Sequence, residues 1–293
     1  VALNNPAFNT PAFQDPRAGA QTRYSPPAAP AASAAAAAEA ANLEGMYTAP
    51  SAGAVETDRM SVEDTVFKTL ALFGVLVVTA VVGWLWSMSS VASTGQPSAA
   101  PMIVGGLVGF VLAMVAIFKK KPSVPVFLAY AAFEGLFIGG ISAFFELMFP
   151  GIVIQATLAT LSVVGVTLAL FASGKVRASA RATKIFLIAM VGYMVFSLLN
   201  IVLMLFNAPI AGGAFGMFSE IKILGIPLGV IIGVVVVIMA AYSLVLDFDQ
   251  IQRGVRNGAP RVYGWVGAFG IMVTVVWLYV EILRLIAILR GNN

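Results

Sequence analysis

The sequence predicts an all-α membrane protein, a bundle of seven transmembrane helices behind an Ala- and Pro-rich tail, and three observations carry that prediction. Hydrophobic residues make up 60% of the 293 and charged residues 10%, with a mean hydropathy of +0.95, far from the roughly half apolar and quarter charged mix of a soluble domain. Seven apolar stretches, over residues 66–88, 101–118, 124–149, 152–171, 185–206, 223–246 and 262–289, each approach the ~20 residues that cross ~30 Å of hydrocarbon as a helix. Basic residues gather in alternate loops between them, as orientation in a bilayer requires.

The chain divides at about residue 60. Residues 1–60 hold a polyalanine run and the repeated Pro-Ala-Phe of Pro6 to Phe8 and Pro11 to Phe13. Such a segment cannot bury enough apolar surface to offset its chain entropy, so a mostly disordered cytoplasmic tail is expected, with residues 61–293 forming the transmembrane domain. It shows no basic stretch leading into an apolar core and cleavage site, so a cleaved secretory signal is not expected.

Ser61 followed by Glu63 and Asp64 reads as an N-cap with acids in the first turn, opening the first helix. Trp84 and Trp86 near its far end fit an interfacial aromatic belt. The second and third stretches carry glycines four apart, Gly105 with Gly109 and Gly135 with Gly139, on faces where helices can approach closely. Pro150-Gly151 alone separates the third and fourth stretches, which must form a tight helical hairpin. The sixth carries Gly225, Gly229 and Gly233 in the same spacing.

Ten of the 17 basic residues lie in three loops: Lys119 to Lys121; Lys175, Arg177, Arg181 and Lys184; and Arg253, Arg256 and Arg261. These loops and the tail are therefore expected in the cytoplasm, with the C-terminal residues outside. The net charge of +4 and pI near 9.4 report this orientation rather than nucleic-acid binding. The lipid bilayer is the expected partner.

An ionised side chain is costly in hydrocarbon, by ~2.5–3.5 kcal/mol or more at the bilayer centre, so acids within the spans are the functional candidates. Glu134 falls ~15 Å along the third stretch, near the midplane, as an ion-path or proton-relay position or as a protonated acid making one interhelical hydrogen bond. Glu146, nearer the outer end, snorkels or lines an outer mouth. Asp249 faces Arg253 at i,i+4, a solvated pair worth a few tenths of a kcal/mol. Asp247 points elsewhere, with Ser243 and Ile251, as a gating acid or as an interfacial acid ending its helix. Glu281 is either a second gating acid or half of an intrahelical ion pair with Arg284.

The run Asp247-Phe248-Asp249-Gln250-Ile251 and the later Leu278-Tyr279-Val280-Glu281 resemble the Bax inhibitor-1-like family, YccA-like in bacteria and also called the transmembrane Bax inhibitor motif family. The resemblance covers about residues 66–291, including the seven-span topology. It implies that Asp247 and Glu281 correspond to the two acids of the family's di-aspartyl pair. It further implies a bacterial plasma-membrane protein and a pH-sensitive calcium leak channel, with Asp247 and Glu281 as transient calcium ligands, or else a regulator of cell death or membrane proteolysis. Leu246 replaces the family's tyrosine and glutamate replaces its second aspartate. If the last helix runs straight from Val262, Glu281 lies ~28 Å along it, too far from the cytoplasmic end of the sixth to meet Asp247 unless the true span starts later.

Cysteine and histidine are both absent, which excludes disulfides, thiolate metal sites, a Ser-His dyad and the His-Glu-x-x-His motif. Proton chemistry falls to carboxylates, tyrosine or lysine. The expected function is passage of cations, calcium above all, under control of buried carboxylates, with no enzymatic step and no cofactor. The alternatives are a non-conducting regulator that binds a membrane protease or other membrane protein, and an intramembrane aspartyl protease, whose usual Gly-x-Gly-Asp pattern is missing.

Overall fold

The structure is a computed structural model and describes residues 58–291 apart from 207, 209 and 211–214. The tail expected over residues 1–60 therefore lies outside the described residues up to 57. Seven long helices follow one another: α1 (Val62–Met88), α2 (Ala100–Phe118), α3 (Val124–Met148), α4 (Ile152–Ala172), α5 (Ala180–Leu205), α6 (Leu228–Arg256) and α7 (Gly264–Gly291). All seven are long and apolar enough to cross a membrane.

Local chemistry sets the helix ends. Ser61 caps α1 by accepting from the Asp64 amide at 3.1 Å, as its spacing predicts, and Ser179 caps α5 through the Ala182 amide at 3.2 Å. The α3–α4 turn closes on Gly151 at φ 82°, a conformation open to glycine without a Cβ penalty. The start of α4 leaves amides without intrahelical partners, and the Glu146 carboxylate accepts from two of them, Gly151 N at 2.5 Å and Val153 N at 3.1 Å. Glu146 is thus a helix cap, which corrects its reading as a snorkelling or mouth-lining acid.

The sixth stretch also differs from expectation. Lys222–Ile223 and Ile226–Pro227 pair as a two-residue antiparallel hairpin, turning through Leu224 and Gly225 at φ 53° and 82°. Gly225 therefore leaves the predicted glycine stripe, and α6 starts only at Leu228. At its other end α6 continues to Arg256, so Asp247 lies inside the helix rather than ending it.

Over half (56%) of the most apolar window of α7 is buried, against 11% for α5, which makes α7 the centre of the bundle and α5 its periphery. The central helix packs on α6, α1, α4 and α3. Around it, Phe127, Tyr130 and Phe269 form an aromatic cluster, with ring centroids 5.3 and 5.0 Å from Phe269. Polar side chains secure the peripheral α5 instead: Thr183 to the Tyr242 hydroxyl at 2.9 Å, Tyr193 to Glu281, and Asn200 Oδ1 to the Met217 amide at 2.7 Å.

Helix α3 lies between α1 and α2 at backbone contact. A Cβ on Gly139 would overlap the Ala80 carbonyl of α1, and one on Gly105 would overlap the backbone of Phe133 and Phe137. Neither neighbour is a flexible side-chain tip that can swing aside. Gly139→Ala is accordingly expected to destabilise the bundle by ~1–3 kcal/mol, the usual cost of overpacking, while Gly165→Ala, with open space around it, should be near neutral. Thermal unfolding in detergent compares them, and equal midpoints would refute the close-approach account.

The two ends of the bundle are tied differently. At one end Met60 N donates to Ala259 O at 2.7 Å, Asp64 pairs with Lys68 and Arg261, and Arg177 reaches Gln252 at 3.1 Å, so the basic loops gather there. At the other, Arg290 donates to Pro150 O at 2.9 Å, joining the end of α7 to the α3–α4 turn. Apolar side chains such as Phe67, Leu107 and Ile188 stay 74%, 66% and 66% exposed on the outer faces, where hydrocarbon rather than water is the compatible surrounding.

Candidate functional site

Ser243, Asp247 and Gln250 lie at i, i+4 and i+7 along α6 and so share one helical face. Helix α7 runs beside that face, and Thr274 Oγ1 donates to Asp247 Oδ2 at 2.7 Å. Asp247 and Gln250 are each 3% exposed and Thr274 6%. All four residues line a cleft of about 410 Å³ bounded by α2, α5, α6 and α7, which Tyr193 also borders from α5. Gln250 Oε1 is buried and has no hydrogen-bond partner among the described residues. An unsatisfied buried carbonyl costs ~1–3 kcal/mol, and it leaves a lone pair available to a ligand.

Glu281 sits two turns further along α7, ~10 Å of helical rise beyond Thr274. One carboxylate oxygen pairs with Arg284 and the other accepts from the Tyr193 hydroxyl. The Arg284 guanidinium lies over the Phe218 ring at 4.2 Å, and its Nε has no hydrogen-bond partner among the described residues. Of the two sequence readings of Glu281, the intrahelical pair is the arrangement formed. Asp247 and Glu281 bond to different side chains, and Tyr193, which donates to Glu281, also lines the cleft that Asp247 lines.

The other acids stand apart. Glu134 is half-buried between α2 and α3, its Oε2 3.1 Å from where a Cβ on Gly109 would lie, and it is not among the residues lining the cleft. Asp249 pairs with Arg253 as the i,i+4 spacing predicts, although the aspartate is more buried, at 9% exposure, than a solvated pair implies. Among the described residues no three acidic side chains converge on a point where they could hold a metal ion.

Sequence reasoning missed Gln250, Thr274 and Tyr193 because it searched for charge. The available signal was weaker: Thr274 is the one polar side chain between Gly270 and Tyr279, and Gln250 completes the face of Ser243 and Asp247. It also read Arg261 only as loop charge. In the structure Arg261 fixes α1 to the start of α7, donating to Asp64 through Nε at 3.0 Å and Nη2 at 2.9 Å.

A family model described as Bax inhibitor 1 like matches residues 5–291, nearly the whole chain. Neither the curated proteins nor the solved structures contain a match.

Proposed function

We propose that this chain, which belongs to the Bax inhibitor 1 like family, passes cations across a bacterial plasma membrane by a route through the Asp247 cleft, with the charge on Asp247 controlling it. The observation that carries this reading is a carboxyl group 3% exposed inside a membrane-length helix, held by one hydroxyl and opening on a cleft bordered by further oxygen atoms. A buried acid with so few partners is costly unless it is used. Protonation cancels its charge, which provides pH control without histidine. Calcium is the ion that the family resemblance implies.

Aspartyl protease chemistry needs two acids sharing a proton, and Asp247 and Glu281 are engaged separately. A non-conducting regulator needs no ion route at all. Flux of calcium and of monovalent ions into liposomes carrying the purified protein decides between them, because a regulator gives no flux above empty liposomes.

Orientation is tested separately. Cysteines placed singly at Ser93 and Lys120 of this cysteine-free chain should react with an impermeant thiol reagent from outside only at Ser93. The reverse pattern would invert the topology that the basic loops predict.

A further inference from the structure

Resting on the cation route proposed above, we infer that the Asp247 cleft is a binding site for a monovalent metal cation, sodium or potassium, rather than for calcium. The charges at the cleft favour such an ion. Asp247 contributes one carboxylate, and the other groups lining it with oxygen, Ser243, Gln250, Thr274 and Tyr193, are neutral. Glu281 is neutralised by Arg284 and Asp249 by Arg253. Glu134 does not line the cleft. Among the described residues the site therefore offers one formal negative charge and several neutral oxygens.

A single carboxylate selects the charge of the ion. The cost of removing an ion from water rises with the square of its charge, whereas its attraction to a fixed carboxylate rises only in proportion. Replacing a monovalent ion by a divalent one of similar radius raises the desolvation cost about fourfold and the attraction about twofold. Calcium sites meet this with several carboxylates among six to eight oxygens, which this cleft lacks. A monovalent cation needs only the one carboxylate and neutral oxygens to replace its water. Gln250 Oε1, buried on the same helical face as Asp247 and without a partner among the described residues, is the neutral oxygen whose missing partner such an ion would supply.

Thermal unfolding of the purified full chain in detergent reads binding directly, because an ion that binds the native state raises the midpoint. At matched ionic strength, sodium or potassium chloride should raise it relative to choline chloride, and added calcium should not. Asp247→Asn should abolish the shift. Gln250→Leu should weaken sodium about five- to tenfold, the equivalent of one neutral ligand. Gln250→Glu keeps the shape and adds a second carboxylate, so it should make calcium stabilising; it serves as well if Gln250→Leu does not fold. Glu134→Gln should leave the sodium shift unchanged.

A larger shift with calcium than with sodium in the unaltered chain would overturn the inference, as would equal midpoints in sodium, potassium and choline. Liposome flux separates this from the route itself. Sodium binding without flux of any cation removes the route and leaves the site, whereas calcium flux without sodium or potassium binding removes the site and leaves the route.

Discussion

Arg284→Ala should destabilise the bundle by ~3–5 kcal/mol, because it strands the Glu281 carboxylate, which is 5% exposed within a membrane-length helix. The guanidinium both neutralises Glu281 and covers Phe218, a stacked contact adding ~0.5–2 kcal/mol in a dry setting. Tyr193 alone cannot replace it, since one hydroxyl supplies a single hydrogen bond and no charge. Arg284→Leu combined with Glu281→Leu removes both charges together and should recover most of the loss. Arg284→Lys should fall between, because an ammonium keeps the charge but loses the flat contact with the ring. Circular dichroism during thermal unfolding in detergent ranks the variants. If Arg284→Ala were no worse than the double substitution, the pair would not be a buried structural unit.

This pair illustrates which parts of the molecule can be read from sequence. The Glu281–Arg284 spacing is local, so its i,i+3 geometry is legible in the order of residues alone. The height of Asp247 against α7 is not, because it depends on where two antiparallel helices cross. Packing aligns Thr274, not Glu281, with Asp247. The spans themselves are legible, since hydrocarbon thickness dictates their length and loop charge their alternation. The start of α6 misleads because Ile223 to Pro227 is apolar and hydropathy is indifferent to conformation. Pro227, two residues after Gly225, completes the turn signal that outweighs it. Glu146 misleads for a different reason: a two-residue turn leaves amides at the start of α4 without partners, and the acid five residues before Gly151 answers that need. Burial of neutral oxygens such as Gln250 Oε1 leaves almost no trace in composition. It emerges only when four helices enclose it.

Asp247→Asn should lower cation flux at least tenfold at neutral pH and leave what remains insensitive to pH. The substitution keeps the size of the side chain and its bond to Thr274 while removing the one uncompensated charge that the described residues place at the cleft. Losing a charged ligand is worth ~1.5–3 kcal/mol, or about 10- to 150-fold in occupancy. In the unaltered chain, acidification protonates Asp247 and should reduce flux towards the level of the variant, so the two converge at low pH and separate as pH rises. Thr274→Val, which removes only a neutral partner, should change flux by about fivefold at most. Asp249→Asn breaks an i,i+4 pair outside the cleft and should do less still. Equal flux and equal pH dependence in the unaltered chain and Asp247→Asn would show that ions do not pass this carboxylate, and the cation route would have to be abandoned.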